Sequence, residues 1–288
     1  MVYNRLRFRQ ADDFLKADRP AKFRFLHKYY GHLLEKCRKN PTCNKPNEGP
    51  IWVFWWQGKS NMPEIVRFCY ESIEKNKPND RPLILLDKNN LNEYIDIPDY
   101  IMDKLEKKCM TLIHFSDIVR MSLLSKHGGL WMDATVFLSS KLPSNIFDNS
   151  YFSCREPGRP FAVCKANYTV FMLGAAANAP WVVYARDFLY EYWKRSYKLL
   201  DYLLIDYILM MAFDSIDELR EEVKKGVINT EHINTLQNDR NETCDPIHYQ
   251  KMMSECSVYK LSYKLKYQER DNEGNLTYYG MMRSSARN

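Results

Sequence analysis

Three short stretches of this 288-residue chain carry side chains whose types and spacing can do chemistry. The first is Ser116-Asp117-Ile118-Val119-Arg120. On a helix, that spacing sets Asp117 and Arg120 one turn apart on one side. The residues around them, Ile118, Val119, Met121, Leu123 and Leu124, make the helix apolar most of the way round, so it is expected to be buried. The pair reads in one of two ways. It is a structural ion pair, or it is a polar face aimed at a hydroxyl-rich ligand, with Asp accepting hydrogen bonds and Arg supplying fixed donors and positive charge. The second stretch is Gly128-Gly129-Leu130-Trp131-Met132-Asp133. A carboxylate ending a buried strand needs a partner. Asp133 is either a turn aspartate bonded to backbone amides or a group that holds Mg²⁺, Mn²⁺ or a ribose hydroxyl in front of a diphosphate. Divalent cations at phosphates take one or two protein carboxylates and keep several waters. The third stretch is Ile51-Trp52-Val53-Phe54-Trp55-Trp56-Gln57-Gly58. Strand alternation puts Trp52 and Trp56 on one face and Trp55 on the other. Their rings fill a core or offer a flat face to a base.

The elements that must position these groups follow from pattern. Ile51–Trp56 reads as a buried strand. Asn61 is a candidate N-cap for a helix carrying Ile65, Phe68, Cys69, Ser72 and Ile73 on one face, and Pro78 breaks it. Pro82–Asp87 is the next strand. Strand, helix, strand is the unit of a parallel α/β sheet, whose ligands lie at the carboxyl ends of the strands. Trp56, Gln57 and Asp87 then share an edge. A polar helix follows Pro98. Met110–His114 reads as strand-like, Ser116 as the cap of the next helix, and Gly128-Gly129 as its stop. Leu130–Asp133 leads into Ala134–Leu138. A strand pair is expected over Tyr151–Glu156 and Phe161–Cys164, with helices near Trp181–Arg195, Leu199–Phe213 and Asp217–Lys225. Ser257–Tyr267 reads as a last strand or an extended lid, and Arg283–Asn288 as disordered. Residues 39–50 are a Pro-rich linker. The expected organisation is a basic helical arm and linker over 1–48, then a domain over 49–288 split into a binding half (49–140) and an acceptor half with C-terminal helices (141–288).

Composition excludes whole classes. A hydrophobic fraction of 45% and a charged fraction of 27% rule out a mainly disordered chain, a collagen and a small disulfide scaffold. The most apolar stretch, Leu199–Phe213, carries Asp201 and Asp206 and is too short and polar to span a bilayer. The net charge is +6, and the first forty residues, with eleven basic and four acidic side chains, hold +7 of it. The remaining chain is close to neutral, so a nucleic-acid surface is not expected. No apolar run in residues 1–40 resembles the core of a secretory signal, and the eight cysteines have no CxxC spacing. A cytoplasmic protein with free thiols is expected. Phe14–His32 mixes aromatic and basic residues. It suits a helix at a membrane surface, peripheral at the inner face, or one packed on the body.

The order of the motifs, W-W-Q-G after a strand, S-D-x-x-R on a helix and G-G-x-W-x-D after it, is similar to the sugar transferases of glycosyltransferase family 32 and their relatives. It looks closest to the bacterial capsular polysaccharide synthesis proteins, which carry W-W-Q-G, F-S-D-I-x-R and G-G-x-W-x-D-A-T. The match runs from about Ile51 to Val136. The resemblance implies a GT-A fold: an α/β, Rossmann-like nucleotide-sugar-binding domain with helical additions. It implies transfer of a hexose from a nucleotide diphosphate sugar, a UDP-sugar, with retention at the anomeric carbon, in capsular or exopolysaccharide assembly. Trp56 matches the position that stacks on uracil, Asp117 and Arg120 match the pair that holds the donor sugar, and Asp133 matches the first Asp of a D-x-D motif. Gln57, Asp87 and Trp131, at the same strand ends, complete the expected binding set. The second Asp of D-x-D is replaced here, giving Asp133-Ala134-Thr135. Thr135 offers a hard cation only a neutral oxygen, which leaves dependence on Mn²⁺ or Mg²⁺ open.

The implied chemistry is a front-face displacement, because no second carboxylate suited to a covalent double displacement is evident. Asp206 and Asp214 are candidates on the acceptor side, or else solvated helix charges. The implied partners are a nucleotide-sugar donor and a lipid-linked saccharide acceptor, with the basic arm at the membrane surface. The competing expectation is a non-catalytic nucleotide- or saccharide-binding protein whose metal site has degenerated.

Overall fold

The computed structural model describes residues 2–40, 43, 45–155, 162–225, 227–230 and 232–287. In chain order the elements are α1 (Val2–Arg38), β1 (Ile51–Phe54), α2 (Glu64–Asn76), β2 (Leu83–Leu86), α3 (Leu91–Tyr94), α4 (Asp99–Glu106), α5 (Leu112–His127), β3 (Gly129–Met132) and β4 (Val136–Leu138). They continue with β5 (Tyr151–Arg155), β6 (Met172–Ala175), α6 (Pro180–Arg195), α7 (Leu204–Ser215), α8 (Asp217–Lys225), β7 (Val227–Asn229), α9 (Thr235–Asn238), α10 (Pro246–Glu255), β8 (Val258–Lys260) and α11 (Tyr278–Arg287).

Among the described residues a six-stranded mixed sheet runs in the order β2-β1-β3-β6-β5-β7. β1 is parallel to both β2 and β3, with Ile51 opposite Leu83 and Leu130. Parallel neighbours need crossover connections, which α2 and α5 supply. The chain therefore leaves β1, β2 and β3 at one edge of the sheet. β3 then pairs antiparallel with β6, and β5 antiparallel with β6. A second, two-stranded sheet pairs β4 with β8, setting Val136 opposite Lys260. The result is the α/β core with helical additions that the resemblance implies.

β1 is buried on both faces, and its alternation divides the core. Trp52 and Phe54 join α1, α5, α6 and α7 on one side, whereas Ile51 and Val53 join α2, β4, β8, α10 and α11 on the other. The linker is pinned rather than loose. Asn47 Nδ2 donates to the Gly129 carbonyl at 2.9 Å, and Gly129 N–H donates back to Asn47 Oδ1 at 2.7 Å. Gly129 has φ of +102°, and a Cβ there would stand 2.2 Å from the Pro50 carbonyl oxygen. Glycine is the residue that fits both demands.

Several expectations are corrected. Met110–His114 is not extended: α5 starts at Leu112 after Thr111 in its N-cap position, and Ser116 lies inside the helix. A 3-10 turn over Lys59–Asn61 and Pro63 lead into α2, while Asn61 donates to the Gln57 carbonyl. The expected second strand fails over residues 162–164, where the chain turns, and its remaining residue, Phe161, lies outside the described residues, as does Glu156. The antiparallel partner of β5 is β6, whose Leu173-Gly174-Ala175 lacks β-branched residues, and β7 pairs with it in parallel on the other side. The expected disordered tail, Arg283–Asn288, is helical up to residue 287 as the end of α11, whose Tyr278, Tyr279 and Met282 are buried, and Asn288 lies outside the described residues. α7 begins at Leu204, not Leu199. α1 continues through Pro20. Its Leu26, Tyr30, Leu34 and Cys37, at helical spacing, are buried against α6 and α7, with Tyr30 4.7 Å from the Phe188 ring. The cysteines are free.

Candidate active site

α5 runs towards β3, so its first two turns stand over the edge where β1 and β3 end. Asp117 and Arg120 face that edge from α5. Arg120 Nη1 donates to Asp117 Oδ1 at 3.0 Å, and its Nη2 donates to Asp133 Oδ1 at 3.2 Å. One buried guanidinium thus holds both carboxylates. Its central carbon lies 4.9 Å from the Trp131 ring centroid, and the Trp131 indole N–H donates to the same Asp133 oxygen at 2.9 Å. The second oxygen of Asp133 faces Lys260 Nζ at 3.3 Å. Lys260 also donates to Thr135 Oγ1.

Environment separates the two carboxylates. Burial pushes the Asp117 carboxyl up to about 6, against the pull of Arg120. Burial acts on Asp133 as well, but Lys260 and Arg120 together outweigh it and hold this carboxyl below its ordinary value. A buried ion pair lacking such extra donors would be costly to ionise.

The cluster opens into a cleft of about 320 Å³, lined by Trp56, Asp117, Arg120, Asp133, Tyr202 and Lys260 among others. Trp56 is half-buried, its ring centroid 5.5 Å from that of Phe115 and nearly perpendicular to it. Gln57 is exposed at the rim, and Trp55 meets Tyr263 edge-on at 5.3 Å. Trp52 is core, with its indole N–H on the Gly128 carbonyl. Asp87 is not among the lining residues. Its Oδ1 accepts the Asn89 and Asn90 N–H groups, so it closes the turn after β2. Asp206 is buried on α7, and burial, followed by the charge of Asp117, raises its carboxyl to about 7. Asp214 is exposed and pairs with Lys165 at 3.3 Å. A larger cavity of about 690 Å³ lies between α2, α10 and α11. It holds none of these residues. Convergent charge, not volume, makes the cleft the candidate site.

Sequence reasoning missed Lys260, Tyr202 and Tyr263. The available signal for Lys260 was a lysine set between the apolar Tyr259 and Leu261 in a segment read as strand or lid. The residues at Asp133 do not fit a divalent cation as they stand. Both carboxylate oxygens and the Thr135 hydroxyl already accept from cationic or N–H donors. Among the described residues no group of three or more His, Cys, Asp or Glu side chains is arranged to hold a metal ion.

A family profile described as capsular polysaccharide synthesis protein matches residues 3–282. The O-glycosyltransferase braB of Annulohypoxylon truncatum is 30% identical over 131 residues, which is 43% of this chain and 30% of that protein. The chain thus matches less than a third of that relative's length. Among solved structures, the PaToxG glycosyltransferase is 15% identical with a TM-score of 0.44, over 74% of this chain and 83% of that one. The galactosyltransferase LgtC, solved with donor and acceptor sugar analogues, is 11% identical with a TM-score of 0.40, over 74% and 86%. GlyE of Streptococcus pneumoniae is 12% identical with a TM-score of 0.42, over 83% and 60%.

Proposed function

The chain belongs to the capsular polysaccharide synthesis protein family, and from that premise we propose that it is a glycosyltransferase acting in capsular or surface polysaccharide assembly. It moves a hexose from a nucleotide diphosphate sugar, a UDP-sugar, to a saccharide acceptor with retention at the anomeric carbon. The observation that carries this reading is the Asp117–Arg120–Asp133 cluster in a tryptophan-walled cleft at the carboxyl ends of β1 and β3. Trp56 takes the base, while Asp117 and Arg120 hold the hexose hydroxyls. The bond from the anomeric carbon to the diphosphate oxygen breaks, and the acceptor oxygen bonds to that carbon on the same face. The acceptor proton passes to the leaving diphosphate. Fixed orientation of the sugar is the chief contribution of the pair.

The acceptor is a lipid-linked saccharide, and α1 meets the membrane surface. Exposed Phe25 and Tyr29 beside exposed Arg24 and Lys28 support that contact. Among the described residues no helix is long and apolar enough to cross a membrane.

The test is release of nucleotide from a panel of UDP- and GDP-sugars, with and without saccharide acceptors. One donor is expected to turn over, and Asp117→Asn is expected to cut turnover by about 10²-fold, the cost of misplacing a reacting group. Full activity in Asp117→Asn, or no binding of any nucleotide by the parent protein, overturns the reading.

A further inference from the structure

We propose that Lys260 supplies, from within the chain, the positive charge that a divalent cation would otherwise bring to the diphosphate beside Asp133. The inference rests on the transferase reading and goes beyond it by assigning the leaving-group charge to one side chain.

The position is set by the fold. Antiparallel pairing of β4 with β8 places Lys260 opposite Val136, and Leu261 N–H donates to the Thr135 carbonyl at 2.9 Å. Lys260 is thereby fastened, by backbone, to the Asp133-Ala134-Thr135 segment that follows β3. Its ammonium bridges Asp133 Oδ2 and the Thr135 hydroxyl, from the two oxygen-bearing side chains this segment offers. A cation held by those oxygens would have to stand where the ammonium stands. Magnesium-type coordination at about 2.1 Å needs carboxylate lone pairs free of a competing cation. Here Lys260 takes one oxygen, and Arg120 and Trp131 take the other.

The ammonium is also equipped to meet a phosphate. It carries three N–H donors, and two are used on Asp133 and Thr135. Its side chain is 23% exposed, and it lines the cleft together with Lys264. A desolvated diphosphate gains more from a fixed charge of this kind than it would in water. When the bond to the anomeric carbon breaks, its electron pair stays on the diphosphate oxygen. Lys260, anchored by Asp133, stabilises that oxygen without transferring a proton. The substitution of the second Asp by Thr135 then has a physical sense. A lysine needs one carboxylate and one neutral acceptor, where a metal is better served by two carboxylates.

The experiment measures UDP binding by titration calorimetry, and donor turnover, in chelator and in Mn²⁺, for the parent chain, Lys260→Met and Lys260→Arg. Met keeps the length and apolar stem of the side chain. Parent affinity for UDP is expected to be equal in chelator and in Mn²⁺. In chelator, Lys260→Met is expected to lose turnover by about 10²–10³-fold, as removal of a leaving-charge donor does, and Lys260→Arg to retain most of it. Mn²⁺ paramagnetic resonance gives a second readout. The parent should leave the ion free, whereas Lys260→Met, with Asp133 released, should bind it and recover UDP affinity. Parent binding of UDP that collapses in chelator overturns the inference while leaving the transferase standing, as does full turnover by Lys260→Met in chelator. Absence of any nucleotide binding by the parent overturns the transferase reading and this inference together. The chelator comparison uses the parent chain alone, so it decides the matter even where a variant does not fold.

Discussion

Arg120 is the hub of the cluster, and the residues around it show one side-chain type driven three ways by its surroundings. Asp133 has two cationic partners and an indole donor, and stays ionised. Asp117 has Arg120 alone and is raised to about 6. Asp206, deeper in α7, is raised to about 7. Carboxyls pushed apart in this way divide roles within a site. For stability the sign is definite. An acid whose folded value exceeds its ordinary 3.8 binds its proton more tightly when folded. Its contribution is therefore most favourable below about 4 and is lost as pH rises to about 7. At one pH unit per 1.36 kcal/mol, the loss is of the order of 4 kcal/mol for Asp206. Asp206→Asn cannot titrate, so it should gain on the parent between pH 5 and 8. Urea midpoints at the two pH values check this. An offset that is the same at both would show that Asp206 ionises normally.

At the scale of elements, the decisive joint is the turn from α5 into β3. Gly128 and Gly129 both have positive φ, and both sit where a Cβ would strike backbone. Gly129→Ala combines strain with a clash on the Pro50 carbonyl and should cost well over 1 kcal/mol. Gly274, with φ of +87° and nothing within 4 Å, carries the strain alone. Gly274→Ala should cost about 1–2 kcal/mol, and less than Gly129→Ala. Thermal unfolding of the two variants separates them, and equal losses would sink the argument. The glycine pair, the β1 run and the apolar α5 were legible in the sequence because each is local: turn chemistry, alternation and helical spacing. So were Asp117, Arg120 and Asp133 as neighbours of one edge, once β1 and β3 were read as strands. The β4–β8 pairing was not. It joins Thr135 to Lys260 across 125 positions, and three-residue strands carry too little pattern to announce a partner. Nor did spacing reveal the turn at Asp87, which ends a strand at that edge while its Oδ1 accepts from the two amides of the turn that follows. α11 was hidden by its polar composition, although Tyr278, Tyr279 and Met282 supply its buried stripe.

For the molecule as a whole, the uneven charge has a structural expression. The first forty residues hold a net +7, and most of them form α1, which is buried along one side by α6 and α7. Lys22 is spent internally on Asp201 at 2.8 Å. Arg24 and Lys28 are exposed one turn apart, with Phe25 42% and Tyr29 45% exposed between and beside them. Basic residues near an anionic bilayer are each worth about 1 kcal/mol, and aromatic rings add interfacial insertion. Neither contribution alone holds a protein of this size on a surface, so the two must act together. Salt shortens the reach of the charges from about 10 Å at 0.1 M to about 3 Å at 1 M. Flotation with anionic vesicles should therefore recover the protein at low salt and lose it at high salt. Neutral vesicles should recover little at either. Replacing Phe25 and Tyr29 by serine should weaken flotation at low salt and leave donor turnover in solution unchanged, because both residues lie outside the cleft lining. No recovery on anionic vesicles would remove α1 from the membrane and leave its basic face as a solvated surface of the body, whereas equal recovery on neutral and anionic vesicles would show that the basic residues add nothing to the contact.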